Sequence, residues 1–192
     1  MGLSLFLLAG MENAAAFRVI LDPGHGGRDS GTRWAGVREK DLNLDVAKRV
    51  ERILRNKGVS TYLTRRSDYY LSLSTRASRS NRYRDSVYVS IHFNSAQTRS
   101  ATGIETFYLS NDGRRLGYQI QNRLVSRLGT KNRGLKKRGF AVLRKTNGPA
   151  VLVECGFISN SWERGRCNSP SYRQKVAQAI ADGIVYYRSR YS

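Results

Sequence analysis

Short apolar runs alternate along the chain with longer stretches in which apolar residues recur at helical spacing. The short runs predict strands at Arg18–Leu21, Val59–Thr64, Val87–His92, Gly103–Leu109, Phe140–Leu143 and Ala150–Glu154. Several are near-continuous, as in strands covered on both faces. The longer stretches predict helices. From about Asp41 to Lys57, Leu42, Val46, Val50, Ile53 and Leu54 share a stripe with charges between them, and Gly58 follows as a stop. Ser72–Arg84 and Arg114–Leu128 are further predicted helices. Tyr172–Tyr187 closes the chain, with Val176, Ile180, Ile184 and Tyr187 on one stripe. Strands alternating with helices imply an α/β fold, a single-domain, mostly parallel twisted sheet with helices on both faces in a three-layer αβα arrangement.

Composition narrows the partners. At 192 residues and 40% apolar, the chain can bury a real core as one domain, and no repeat or long linker divides it. Lys and Arg number 34 against 14 Asp and Glu, a formal charge of +20. That charge predicts attraction to a polyanion: nucleic acid, an anionic membrane face or an anionic cell-wall polymer. It is spread along the chain, with the densest stretches at Lys131–Arg138 and Arg76–Arg84. Arginines interleave with Tyr62, Tyr69, Tyr70, Tyr83 and Tyr88, and tyrosines can stack on bases. Tyrosines more often pack against a core with the hydroxyl outward. No nucleic-acid motif appears, so sequence-specific nucleic-acid recognition is not expected.

The two cysteines, Cys155 and Cys167, make no disulfide framework. One small bridge or two separate reduced thiols both fit their spacing. At the N-terminus, Leu3–Ala9 is a short apolar run and Ala14-Ala15-Ala16 offers a small-residue cleavage site. Residues 1–16 therefore read as a signal peptide, truncated or atypical because the basic leading region is missing. Residues 17–192 then form the folded domain, acting outside the cytoplasm. The run is too short to cross a bilayer, which takes about 20 apolar residues, so no transmembrane span is expected.

The chain has two histidines, and both end predicted strands. His25 follows Val19-Ile20-Leu21-Asp22-Pro23-Gly24 in a Gly-rich turn, and His92 closes Val87-Tyr88-Val89-Ser90-Ile91. Open α/β sheets bind ligands just beyond the carboxyl ends of their strands. Two imidazoles at that edge suggest half of a metal site, although lone surface or capping histidines would look the same. A catalytic zinc site adds a third His or carboxylate ligand and an exchangeable water. Asp22, Asp29, Glu39 and Asp41 are the candidates near His25, and spacing ranks Glu39 only modestly above Asp29. A carboxylate in a first helical turn can equally be structural. Glu154 ends the most apolar strand of the chain, where a charge is costly unless paired or placed at the open edge. Its functional reading is a general base beside a metal-bound water.

These residues lie in segments that resemble a known family. Val19-Ile20-Leu21-Asp22-Pro23-Gly24-His25-Gly26-Gly27 resembles the opening signature of the zinc-dependent N-acetylmuramoyl-L-alanine amidases, the type 3 cell-wall amidases. Glu39-Lys40-Asp41-Leu42-Asn43-Leu44 resembles their second motif and Ser90-Ile91-His92-Phe93-Asn94-Ser95 the third. Pro149 through Asn160 resembles the last. Leu63-Thr64-Arg65 and Ser74–Asn81 resemble the segment before the family's arginine-rich helix and that helix.

The resemblance implies a Zn2+ ion held by His25, Glu39 and His92, with Glu154 as the catalytic glutamate. The implied substrate is peptidoglycan, cut between N-acetylmuramic acid and L-Ala of the stem peptide. Some relatives carry a long helical insert after the strand matching Gly103–Leu109. Here Ser110-Asn111-Asp112-Gly113 leads straight to a helix, so no built-in autoinhibition is expected. With no separate wall-binding module visible, the positive charge is expected to hold the enzyme on anionic wall polymers. The competing readings are a zinc peptidase acting within the stem peptide, a basic nucleic-acid or polyanion binder, and an inactive wall-binding relative.

Overall fold

The computed structural model describes residues 17–191. The signal-peptide expectation for residues 1–16 falls outside the described residues. The central sheet comprises β1 (Arg18–Pro23), β4 (Ser60–Leu63), β5 (Ser86–Asn94), β6 (Ile104–Tyr108), β7 (Asn132–Lys137) and β8 (Ala150–Phe157). Its order is β4-β1-β5-β8-β6-β7. Neighbours run parallel except β6 and β8, which are antiparallel. A separate two-stranded hairpin, β2 (Arg33–Trp34) and β3 (Val37–Arg38), leads into the first helix.

The helices are α1 (Glu39–Asn56), α2 (Leu73–Ser80), α3 (Asn111–Leu128), α4 (Ala141–Arg144), α5 (Ser161–Asn168) and α6 (Pro170–Tyr191). Alternation along each strand divides the apolar residues between two layers. Val19, Leu21, Val89, Ile91, Val151 and Val153 face the larger core, built with α1, α3 and α6. Ile20, Tyr88, Phe107 and Leu152 face a smaller one with Val142 and Leu143. Among the described residues, this second face is covered by the short α4 with Tyr62, Tyr83 and Leu109, and the short α2 packs beside α4. The same alternation carries Ser90 and His92, and Glu154, onto that thinly covered face, which therefore stays accessible at its top. The expected three-layer α/β fold is the observed one.

Several local expectations change. Phe140–Leu143, expected as a strand, is the one-turn helix α4 with Phe140 at its N-cap. Four apolar residues do not distinguish a strand from a buried helical turn. The sheet position belongs instead to β7, whose residues apart from Leu135 are polar, basic or glycine and none of which is fully buried. Charged residues suit an edge strand, where they discourage further pairing, and they remove the apolar signature. The helix expected over Ser72–Arg84 is shorter, beginning after Ser72, whose hydroxyl accepts from the Thr75 N–H. Cys155 and Cys167 are both buried and free, so the bridge alternative does not hold.

Candidate metal centre

Strand order reverses around β1: the chain goes from β1 to β4 on one side and returns to β5 on the other. Such a reversal opens a crevice at the carboxyl ends of the two flanking strands. His25 follows β1 and His92 sits near the end of β5, so both reach that crevice. Their rings meet edge to face with centroids 5.0 Å apart. Glu39, the first residue of α1, enters between them. Its Oε1 lies 2.8 Å from His92 Nδ1 and 3.2 Å from His25 Nε2. One donor atom from each of His25, Glu39 and His92 lies within 4.8 Å of the others.

The remaining bonds aim these donors. His25 Nδ1 is 2.8 Å from Asp29 Oδ2. A proton held on that side leaves the Nε2 lone pair facing the cluster, as for a metal-ligating histidine backed by a carboxylate. Glu39 Oε2 accepts from the Thr32 N–H at 2.9 Å. Burial alone raises the pKa of Glu39, but hydrogen bonds and charge from both histidines outweigh it and hold the carboxyl well below its usual range. Burial lowers that of His25, and Glu39 and Asp29 together raise it further than burial lowers it. The backbone is shaped around the side chains. A Cβ on Gly24 would sit 2.1 Å from His92 Cε1. One on Gly31, at φ +59, would sit 2.5 Å from Glu39 Oε2.

Glu154 stands beside His92 in register on β8. Its Oε2 is buried and has no hydrogen-bond partner among the described residues. Burial, reinforced by the carboxylates of Glu39 and Glu105, pushes its pKa well above the carboxylate range. Glu105 of β6, opposite Glu154, accepts from Asn94 Nδ2 at 2.6 Å and pairs with Arg133 and Lys136.

The other candidate carboxylates have different work. Asp29 supports the ring of His25 from behind. Asp41 pairs with Arg38 at 2.6 Å. Asp22 is fully buried and accepts from Thr64, Tyr88, Ser90 and Arg76. Arg76 also donates to the carbonyls of Pro23 and His25, and Arg65 to those of Pro23, Gly24 and Lys40. Two arginines thus fasten the His25 turn to α1 and α2, and His25 is held at φ +60, a conformation that few non-glycine residues adopt. Spacing alone carried no sign of these roles, since their partners lie over forty positions away or are backbone carbonyls. The arginines do fall in the two segments singled out for family resemblance.

Two cavities flank the cluster and share His25, His92 and Glu154. One of about 230 Å³ is apolar, walled by Leu73, Phe140, Val142 and Leu152. The other, about 390 Å³, is polar, walled by Thr32, Asn94 and Ser95.

The model of the family described as N-acetylmuramoyl-L-alanine amidase matches residues 19–186. The chain belongs to this amidase family. Among amidase relatives, LytC of Bacillus subtilis is 39% identical over 175 residues, covering 88% of this chain and 35% of LytC. The chain thus spans about a third of that relative's length. An N-acetylmuramoyl-L-alanine amidase from Clostridium difficile 630 superposes with a TM-score of 0.88 at 36% identity, covering 93% of this chain and all of that one. The catalytic domain of the amidase CwlV from Bacillus (Paenibacillus) polymyxa gives 0.87 at 34%, covering 90% and 98%. Among the described residues, no helix of this amidase-family chain is long and apolar enough to cross a membrane.

Proposed function

We propose that this chain hydrolyses the amide bond between N-acetylmuramic acid and L-Ala in peptidoglycan, using a zinc ion held by His25, Glu39 and His92. The observation that carries the reading is the convergence of those three donors beside a buried, unpartnered carboxyl oxygen of Glu154. The donor set fits the ion. Two imidazoles and one carboxylate are a common catalytic zinc triad, leaving a further coordination position open. Glu39 is buried and ionised between two histidines, Asp29 orients His25, and Gly24 and Gly31 leave room for the side chains.

Zinc bound there would supply a Lewis acid that polarises the scissile carbonyl and acidifies the attacking water. The protein supplies the proton path. The Glu154 carboxylate, its raised pKa offset by the positive charge such an ion would bring, takes a proton from the attacking water and delivers it to the departing L-Ala nitrogen. The C–N bond breaks, leaving a lactyl carboxylate on the glycan and a peptide with a free amine. The apolar and polar cavities give the two sides of the scissile amide different surroundings. Membership in a family whose relatives include cell-wall amidases supports action outside the cytoplasm. In this reading residues 1–16 act as an export signal and 17–192 as the secreted catalytic domain of an autolysin.

The test is metal analysis and turnover of the same preparations. Wild type should bind one zinc per chain, and His92→Ala should lose both zinc and activity. Glu154→Gln should keep the zinc and lose turnover. Retention of zinc by His92→Ala, or turnover by Glu154→Gln, would count against the assignment.

A further inference from the structure

On the face of the sheet opposite the metal centre, α3 and α6 pack side by side and carry several arginines and exposed tyrosines. Because β6 runs antiparallel to β8, Glu105 lies opposite Glu154 while Tyr108 lies opposite Val151. The chain therefore leaves β6 at the end of the sheet remote from Glu154, and α3 begins there. The last residues of α6 meet it, with Arg115 over the ring of Tyr191. Between them opens a cleft of about 410 Å³ lined by Asn111, Arg114, Arg115, Tyr118, Gln119 and Tyr191. Tyr118 is 56% exposed and Tyr191 47%. A side chain so exposed contributes little to a core, so the core does not account for these rings.

The seam continues beyond the cleft. Arg123 and Arg190 both lie over the ring of Tyr186, at 4.4 and 5.7 Å. The only acids on the two helices are Asp112 and Asp182, and each is already paired, with Arg115 and Arg127. Arg114, Arg123 and Arg190 make no ion pair among the described residues. A guanidinium lying on an aromatic ring is pre-oriented, with N–H groups still free to donate to a phosphate. A helix of 18 residues is about 27 Å long, so the seam suits an extended ligand with repeating charge better than a small anion.

We propose that the α3–α6 seam is a binding site for a phosphodiester polymer of the cell wall, its phosphates taken by Arg114, Arg115, Arg123 and Arg190 and its polyol carbons resting on Tyr118 and Tyr191. The choice of a wall polymer rests on the proposed amidase function. Charge complementarity holds for any polyanion of this shape. Because the cleft opens at the end of the sheet remote from Glu154, and α3 and α6 cover the sheet face opposite the one that carries His92 and Glu154, an anchored molecule keeps its metal centre open to substrate.

The test is binding of fluorescently labelled poly(glycerol phosphate), followed by anisotropy at low and moderate salt with the whole chain. Arg114→Glu/Arg115→Glu should weaken binding by about tenfold or more and flatten its salt dependence. Tyr118→Ala should weaken it several-fold with no change of charge. Arg52→Glu/Arg55→Glu on α1 makes the same charge change on exposed residues elsewhere and should have a smaller effect. Equal loss in the two double variants, or no loss in Tyr118→Ala, would reduce the seam to unspecific charge and overturn the proposal. Tighter binding of single-stranded DNA of equal charge would overturn the choice of polymer. The substitutions lie on exposed helix faces, and unchanged thermal midpoints verify folding. Binding is read without turnover, and Glu154→Gln should bind as wild type. Failure here therefore leaves the amidase reading intact, and a failed amidase assay leaves this result intact.

Discussion

At the scale of single residues, Glu154 and Asp29 separate two jobs that both look like "a carboxylate near a histidine". Glu154 lines both cavities and has a buried oxygen with no partner among the described residues, whereas both oxygens of Asp29 are engaged, with His25 and with the Gly31 N–H. Replacing Glu154 with Gln should lower kcat by about 10²–10⁴-fold, the usual weight of general acid–base catalysis, with zinc content unchanged. Replacing Asp29 with Asn should instead weaken zinc affinity by about 10–100-fold, as for other carboxylates backing a ligating histidine. Added zinc should restore the activity of that variant, which a steady-state titration with buffered zinc would reveal. Sequence spacing could not separate Asp29 from Glu39, because what distinguishes them is direction. Glu39 enters from the first turn of α1 between the rings, and Asp29 reaches His25 from behind. Family resemblance singled out Glu39, and the structure sets it between the two rings.

At the scale of elements, the site depends on how the turn after β1 is fastened. Asp22 and Arg76 are a buried pair, with 1% and 3% of their side chains exposed. Breaking such a pair typically costs about 3–5 kcal/mol. Arg76→Met should therefore lower the unfolding free energy by that order, measured by denaturant titration. Burial raises the Asp22 pKa, but Arg76 and the hydroxyls of Thr64 and Tyr88 outweigh it and leave the carboxyl below its ordinary 3.8. A carboxyl depressed in the folded state stabilises fully above its unfolded pKa, and that contribution disappears as pH falls through the folded one. The thermal midpoint should thus drop as pH falls below 3.8, and Asp22→Asn should shallow that slope while lowering the midpoint at neutral pH. The strands feeding the crevice were legible because both their faces are buried and their apolar runs are continuous, as in β1, β5 and β8. β7 was not, because an edge strand of Asn, Arg, Gly and Lys with the single apolar Leu135 carries no apolar period. α4 was misread because its apolar residues fill the small core as one helical turn.

At the scale of the whole molecule, the uneven cover of the sheet explains where chemistry sits. Three long helices close one face, and the opposite face is left open where His92 and Glu154 emerge. After β6 the chain passes through Ser110 directly into α3, with no helical segment inserted there to cover the centre. The purified chain should accordingly hydrolyse substrate without an added activator, and a requirement for a second protein would contradict this. The central claim is that the centre cuts one particular bond. It is tested most directly by mass spectrometry of the products released from purified peptidoglycan, with and without a chelator. The account predicts intact stem peptides bearing a free L-Ala amine, abolished by chelation and restored by zinc. Fragments cut inside the stem peptide, or release that chelation leaves untouched, would contradict it.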